Sequence, residues 1–155
     1  MSFLRKTVWL LGLALAGIPA HAADHLPLTA FIVDLDHASK NSMRAMPGLQ
    51  QTGLAFTAML DTAVNGDIEM TREAAEAADY RARSITQAGR DYLVLFDLLQ
   101  SVGPTIVLAK APQRDLIIEA PHGIADRATD IQSAIALTRL GARALILAGA
   151  HRCAS

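Results

Sequence analysis

The sequence predicts an α/β fold, a single domain in which helices pack on a mixed, partly parallel sheet. Residues 115–155 have the pattern of a strand, a polar turn, an amphipathic helix and a second strand, a unit whose two strands run parallel. Helical patterns and two β-prone runs precede this unit. The apolar residues, 52% of the chain, are mainly Ala and Leu, and only 5% of residues are aromatic, as expected where helices cover a sheet.

Residues 1–22 have the organisation of a secretory signal peptide. Arg5 and Lys6 precede an apolar run, and Ala20 and Ala22 fit the small positions before a cleavage site. The apolar run is shorter than the roughly 20 residues that span a bilayer, and no Cys follows it to accept a lipid. We therefore predict a periplasmic or secreted protein with no stable membrane anchor after signal cleavage. An uncleaved anchor is the alternative.

Residues 23–155 are long enough for one α/β domain with its own core. Loss of Arg5 and Lys6 leaves 12 of the 14 Lys and Arg residues against 15 Asp and Glu, a net charge of −3. A charge of this sign argues against nucleic acid as a partner. Cys153 is the only cysteine, so no intramolecular disulfide can form. Its position close to the last residue raises the hypothesis that the natural chain continues beyond Ser155, and a chain that ends there is an equal alternative.

The first element predicted after the signal is a strand. The apolar run 31–33 is bounded by Asp34 and Asp36, which predicts a short strand followed by a turn. Asp34, Asp36 and His37 have a spacing that metal ligands can show, but turn formation is the favoured interpretation.

Two helices are predicted next. The first spans residues 49–64, with Leu54, Met59 and Leu60 on its apolar face, and ends at residues 65–66. The second spans residues 71–88. Its predicted N-cap is Thr71 and its stop is Gly89.

The remaining elements are three strands, a helix and a last strand. Residues 92–99 and the TIVLA run at 105–109 predict a hairpin, and residues 116–119 predict a third strand. Thr129 and Gln132 form a capping-box pattern for a helix that starts at about Asp130 and ends at Gly141. The crossover rule then places residues 142–148 parallel to residues 116–119.

Each strand of this last unit is followed by a histidine, His122 and His151. Because the carboxyl ends of neighbouring parallel strands meet at one edge of a sheet, we expect both imidazoles there. With Asp126 they would supply two neutral nitrogens and one carboxylate, a set that suits a catalytic zinc and leaves a fourth position open. The spacing is not a strong signature, and each histidine alone would more often be a capped or surface residue.

Three further side chains belong to the same predicted rim. Arg127 and Arg152 could bind a carboxylate or phosphate through paired hydrogen bonds. Pairing of Arg127 with Asp126 or Asp130 is the alternative. Glu119 is the nearest candidate for a catalytic general base, although a strand-end Glu is usually only solvated.

The segments APHGIADRATD and GARALILAGAHR are similar to a pattern in uncharacterised secreted bacterial proteins. More distantly they resemble the N-formylglutamate amidohydrolase and poly-γ-glutamate hydrolase group of zinc enzymes, mainly over residues 116–152. The resemblance implies that His122, in a PHxG-like turn, and His151, at a later strand end, bind the metal. The chain departs from the pattern because it has no second glycine directly after PHG and no clear catalytic acid downstream.

The sequence therefore predicts an exported metal-dependent hydrolase that cleaves amide bonds in a small acidic or peptide substrate. Two alternatives remain open. One is a noncatalytic periplasmic anion-binding or interaction domain that uses the same rim without a metal, and the other is a truncated copy that does nothing alone.

Overall fold

Within the residues that the structure describes, five strands form one mixed sheet. The computed structural model describes residues 28–39, 49–97, 103–121 and 128–149. In chain order these ranges contain α1 (Leu28–Ser39), α2 (Leu49–Asn65), α3 (Ile68–Ala77), β1 (Tyr80–Gln87), β2 (Arg90–Asp97), β3 (Thr105–Ala109), β4 (Arg114–Ala120), α4 (Thr129–Leu140) and β5 (Ala142–Leu147). The strand order is β1-β2-β3-β5-β4. Only β4 and β5 pair in parallel within this sheet, so the predicted α/β class with a partly parallel sheet is confirmed.

The helices cover both faces of the sheet. Side chains alternate along β2, so Val94 enters one core while Leu93 and Leu95 enter the other. The first core lies between the sheet and α1 with α4, and the second lies between the sheet and α2 with α3. The fold therefore has three layers, with the sheet in the middle.

The strand predicted at residues 31–33 is wrong, because this segment lies within α1. Leu28, Phe31, Ile32 and Leu35 are all buried, and their spacing of three and four residues is that of one helical face. The Phe31 ring meets the Phe96 ring edge to face, with 5.4 Å between centroids. The turn predicted at Asp34 is also wrong, because the helix continues through it.

Helix α2 confirms the helix predicted at residues 49–64, but its apolar face differs in part. Met59 and Ala63 are buried against β2 and β3, with Phe56 and Leu60 partly buried beside them. Leu54, predicted on this face, is 81% exposed. The face that packs on the sheet is therefore rotated away from Leu54.

Helix α3 begins earlier than predicted. Asp67 is its N-cap, and the Asp67 carboxylate accepts a hydrogen bond of 3.0 Å from the backbone N–H of Met70. Thr71, the predicted N-cap, lies inside the helix, where it is fully buried and its hydroxyl donates to the Asp67 carbonyl. The prediction for Thr71 is wrong because an Asp four residues earlier caps the helix instead.

The predicted continuation of this helix to residue 88 is also wrong. Residues 80–87 form β1, which pairs with β2 along its whole length. Ala88 and Gly89 join the two strands with φ values of 52° and 71°, as a two-residue hairpin turn requires. Pairing with an eight-residue partner strand outweighs the modest helix propensity of this stretch.

The later elements follow the prediction closely. Strands β2 and β3 form the predicted antiparallel hairpin, and β5 pairs in parallel with β4. Helix α4 ends at Gly141, which has a φ of 60°. The predicted capping box is wrong, because Thr129 is the first helical residue and Ala128, at the N-cap, makes no side-chain capping bond.

No helix in the described ranges has the length and apolar character that crossing a bilayer demands.

Tyr80 ties β1 to the turn before β3. Its buried hydroxyl donates a 3.1 Å hydrogen bond to the Pro104 carbonyl. A carboxylate oxygen of Asp97 accepts a 3.1 Å hydrogen bond from the Gly103 N–H in the same turn. Burial first, and then the negative charge of Asp97, raise the pKa of the Tyr80 phenol well above its usual value. The phenol is therefore protonated wherever the protein is folded and the solution is not strongly alkaline.

Tyr80 should make the protein less stable in alkaline solution. Below about pH 10, the ordinary pKa of tyrosine, the phenol is protonated in both the folded and the unfolded state. Above it only the unfolded state loses the proton, so the free energy of unfolding should fall by about 1.4 kcal/mol per pH unit. The free energy of unfolding in urea can be measured at pH 9 and at pH 11. Its decrease between these two pH values should be about 1.4 kcal/mol larger in the wild type than in Tyr80→Phe. Equal losses in the two proteins would contradict this assignment.

Candidate functional site

Strands β4 and β5 end side by side. Ala120 lies opposite Leu147 in the parallel register, and Glu119 lies opposite Ile146. The backbone N–H of Ala148 donates a 3.1 Å hydrogen bond to the Ala120 carbonyl, which extends the pairing one residue past β5. The chain therefore leaves both strands at the same edge of the sheet, as the sequence predicts.

Helix α4 begins at this same edge. Its Ala134 and Leu137 are buried in the core shared with Ala120, Leu145 and Leu147. At the opposite end the carbonyl of Gly141, which ends the helix, accepts hydrogen bonds from the N–H groups of residues 113 and 114 at the start of β4. The helix thus runs antiparallel to both strands, and its N-terminus lies near their carboxyl ends. Ligands of open α/β sheets bind at such edges.

The first turn of α4 offers hydrogen-bond donors. The N–H of Gln132 bonds to the Ala128 carbonyl at 2.9 Å. Among the residues that the structure describes, no acceptor meets the N–H groups of Thr129, Asp130 and Ile131. Free N–H groups at the positive end of a helix attract anions.

Asp130 is a buried acid in this turn. It is only 6% exposed, and it lies in the buried stripe with Ser133, Ala134 and Leu137. The Ser133 hydroxyl donates its one proton to the Thr129 carbonyl at 2.7 Å, so it cannot also donate to a carboxylate. Within the described ranges no donor bonds to the Asp130 carboxylate. Burial of a carboxylate without a partner costs several kcal/mol, so Asp130 is an unusual residue for the buried side of a helix.

Glu119, the candidate general base, is exposed on β4. Its neighbours Ile118 and Ala120 belong to the core under α4. Because side chains alternate along a strand, Glu119 faces the side of the sheet opposite α4. A role for Glu119 in catalysis therefore requires the reacting groups to lie at the open edge, where both faces can be reached, and this role stays a prediction.

The other predicted site residues lie outside the described ranges. His122, Asp126 and Arg127 fall in residues 122–127, and His151 and Arg152 fall in residues 150–155. The signal peptide predicted at residues 1–22 lies outside them as well. The structure therefore describes the ends of β4 and β5, which precede these two segments, but not the predicted site residues themselves.

In the part of the chain that the structure describes, no three His, Cys, Asp or Glu side chains are grouped so that they could hold a metal ion. The Asp130 carboxylate is nevertheless a buried anionic oxygen donor at the predicted edge. Zinc accepts carboxylate oxygens together with imidazole nitrogens. The described residues therefore supply one donor of the right chemistry, and any others would come from the segments that follow β4 and β5.

A groove of about 320 Å³ lies near the opposite ends of β4 and β5, beside Arg143 at the start of β5. Val64, Lys110 and Arg143 are among its lining residues. The Arg143 side chain bonds to the Asp115 carboxylate at 2.5 Å. None of the described residues that line this groove is a predicted site residue. The candidate site therefore stays at the edge where β4 and β5 end.

No family model, no curated protein and no solved structure matches the chain. The resemblance to zinc amidohydrolases stays a prediction.

The sequence prediction gave Asp130 two roles only, as the start of α4 and as an alternative partner of Arg127, and did not predict its burial. The spacing of Ile131, Ala134, Ile135 and Thr138 in the sequence predicts that they share one side of α4, but Ile135 is 36% exposed and Leu137 is fully buried. The sequence did contain a signal for this burial. Asp130 precedes Ser133 by three residues and Ala134 by four, so it lies on the same helical face as they do and as Leu137. An acidic residue on the buried face of a helix is uncommon unless it has a partner.

Proposed function

We propose that the protein is an exported zinc-dependent hydrolase that cleaves amide bonds in a small acidic or peptide substrate. One observation carries the proposal. The parallel strands β4 and β5 end at the same edge of the sheet, and the N-terminus of α4 lies near that edge. This edge is the common ligand-binding position of α/β sheets, and both proposed histidines follow it closely in the chain.

The proposed metal ligands are His122, Asp126 and His151. His122 directly follows Pro121, and His151 is two residues beyond Gly149. Since consecutive Cα atoms lie about 3.8 Å apart, each histidine stays within a short span of a described strand end. Three protein ligands would leave one position open, and a zinc ion held there would act as a Lewis acid that lowers the pKa of bound water. The buried Asp130 carboxylate favours a cation at this edge.

The remaining proposed residues bind and orient the substrate. Arg127 and Arg152 would each bind a substrate carboxylate through paired hydrogen bonds. The N–H groups at the start of α4 would add donors to the same carboxylate. Glu119 would accept the proton of the attacking water as the general base.

The experiment is zinc analysis of the purified protein, with a thermal-unfolding scan with and without added zinc and an assay of an N-acylated glutamate. We expect about one zinc per chain, a higher Tm with zinc because the metal binds the folded state, and release of free glutamate. Absence of zinc together with an unchanged Tm would contradict the proposal.

One variant tests the role of Glu119 in the assay, and a second variant is its control. Glu119→Gln should retain zinc and lower kcat by about 100-fold or more, as loss of a general base does. Asp115→Asn is the matched control, because Asp115 is an exposed acid of the same strand that pairs with Arg143 at the far end, and its kcat should not change. Equal activity of the Glu119 variant and the wild type would remove Glu119 from the mechanism.

A noncatalytic anion-binding domain is the second candidate, and the N–H groups at the start of α4, for which the described residues supply no acceptor, favour it. In that case glutamate would bind to chelator-treated protein without being formed from the acylated substrate. Binding would then depend on Arg127 and Arg152 and would be unaffected by changes at His122.

A further inference from the structure

We infer that the groove beside Arg143 binds a small amphiphilic anion, an unbranched aliphatic chain that ends in a carboxylate. The groove lies between the C-terminal end of α2, the start of α3 and the neighbouring parts of β2, β3 and β5. Because it is near the ends of β4 and β5 opposite the candidate site, the inference does not depend on the proposed hydrolase.

The first step is the chemistry of the groove walls. Of the described residues that line the groove, only Lys110 and Arg143 are charged, and the others are aliphatic residues, glycine and proline. Ala63 of α2 and Leu93 and Leu108 of the sheet are among these, and all three belong to the second core or pack against it. Such walls have no partner for polar groups along the body of a ligand, so that body should be apolar.

The second step is the size and opening of the groove. Its volume is about 320 Å³, whereas voids in a closely packed interior rarely exceed a water molecule. Pockets that bind small molecules begin at roughly this size. Val64 lines the groove and is 72% exposed, so the apolar lining reaches the solvent. The chain of a bound ligand would cover this exposed apolar surface, which favours binding.

The third step is the charge of Lys110, which is exposed and directly follows β3. Its backbone N–H donates to the Asp91 carbonyl at 2.9 Å, which fixes its position beside the groove. The Asp91 carboxylate accepts a 2.6 Å hydrogen bond from the Thr86 hydroxyl of β1, on the side of β2 away from β3. Within the described ranges no acid forms an ion pair with the Lys110 ammonium, so this charge can bind an anion in the groove.

The fourth step is the second cation, Arg143. Its Nε donates to the Asp115 carboxylate at 2.5 Å. In the part of the chain that the structure describes, no acceptor bonds to the other N–H groups of this guanidinium. The Asp115 side chain is 83% exposed, so this ion pair is weak in water. Arg143 therefore keeps donors for a ligand carboxylate.

The charges around the groove match a ligand with one negative charge. Lys110, Arg143 and Asp115 together carry a net charge of +1. Asp67 precedes the lining residue Ile68, but its carboxylate accepts a 3.0 Å hydrogen bond from an N–H group in the first turn of α3. The partial positive charge of that helix end offsets part of the Asp67 charge. A carboxylate therefore suits the groove better than a doubly charged phosphate.

The experiment is an NMR titration of the ¹⁵N-labelled full chain with sodium octanoate at neutral pH and low ionic strength. We expect saturable shifts of the backbone N–H signals of residues 108–110 and 143. Hexanoate, two methylenes shorter, should bind about 10-fold more weakly, because each buried methylene contributes roughly fourfold. 1-Octanol has the same chain without the charge and should also bind at least about 10-fold more weakly.

Two pairs of variants locate the ligand. Lys110→Gln removes the ammonium, and its control Arg139→Gln removes an exposed cation of α4, on the other face of the sheet. Val64→Asp adds a negative charge to the groove, and its control is Leu54→Asp, on the same helix but outside the groove and 81% exposed. Octanoate affinity should fall at least about 10-fold in Lys110→Gln and Val64→Asp and be unchanged in both controls. All four positions are exposed, so the variants should fold like the wild type, which circular dichroism checks.

The inference is overturned if octanoate produces no saturable shifts, or if 1-octanol binds as tightly as octanoate. Unchanged octanoate affinity in Lys110→Gln or Val64→Asp would place the ligand elsewhere. Inorganic phosphate that binds the same residues as tightly as octanoate would show a site for the anionic group alone. A wild-type dimer that Val64→Asp dissociates and that binds no octanoate would show that a second copy of the chain covers the groove. None of these results bears on the hydrolase proposal, because the proposed zinc site is at the opposite end of β4 and β5.

Discussion

Alanine at position 122 or 151 is expected to weaken zinc binding by more than about 100-fold and to abolish amide hydrolysis. Loss of a residue that only supports a ligand already costs about 10-fold to 100-fold in metal affinity, so loss of a ligand should cost more. His122→Ala and His151→Ala should have similar effects, because each removes one imidazole from the same proposed site. Zinc titration and the glutamate-release assay measure the two losses.

The chain provides matched controls for these variants. Its five histidines include His25 and His37, which precede the sheet in the chain and have no proposed role at the edge. His25→Ala and His37→Ala should therefore bind zinc like the wild type. Zinc binding that survives both His122→Ala and His151→Ala but is lost in His37→Ala would place the metal beside α1 instead, where Asp34 and Asp36 also occur.

The sequence predicted the second half of the fold better than the first, for a physical reason. Between β2 and β5 each element is bounded by strong turn formers, and Gly141 ends α4 with the positive φ that glycine tolerates. The parallel pairing of β4 and β5 follows from the handedness of a strand-helix-strand unit. These are local or topological constraints that a single sequence displays.

The first half depends on packing that local patterns do not display. The run 31–33 is apolar and short enough to suit a strand. The helical spacing of α1 becomes visible only when Leu28 and Leu35, which are also buried, are considered together with this run. Residues 80–87 are adjacent to an Ala-rich helix and have no break before Asp79, whose φ of 59° marks the transition. Pairing with β2 decides their conformation, and this is a tertiary effect.

The candidate site was predictable to the level of an edge of the sheet. Polar residues that follow two parallel strands indicate where a ligand would bind, whatever the ligand is. The buried state of Asp130 was not predictable in the same way, because Asp is also favoured in the first turn of a solvated helix by the helix dipole. Only the rotation of α4 on the sheet, set by Leu137, shows which of these two environments Asp130 occupies.

The rotation of α4 gives the prediction with the largest expected effect on stability. Leu137 is fully buried in the core with Val94, Val107 and Leu145. Leu137→Ala removes its side chain from a closely packed site and leaves a cavity, so the free energy of unfolding should fall by about 3 to 5 kcal/mol. Urea unfolding followed by circular dichroism measures the loss.

Ile135 provides the matched control on the same helix, because it is 36% exposed. Ile135→Ala should cost about 1 kcal/mol or less, as is usual for substitutions outside the core. If the two costs were equal, or if Ile135→Ala were the more damaging, α4 would present the stripe through Ile131 and Ile135 to the sheet. Asp130 would then turn toward solvent, so the stability of these two variants also tests the rotation of α4 that buries Asp130.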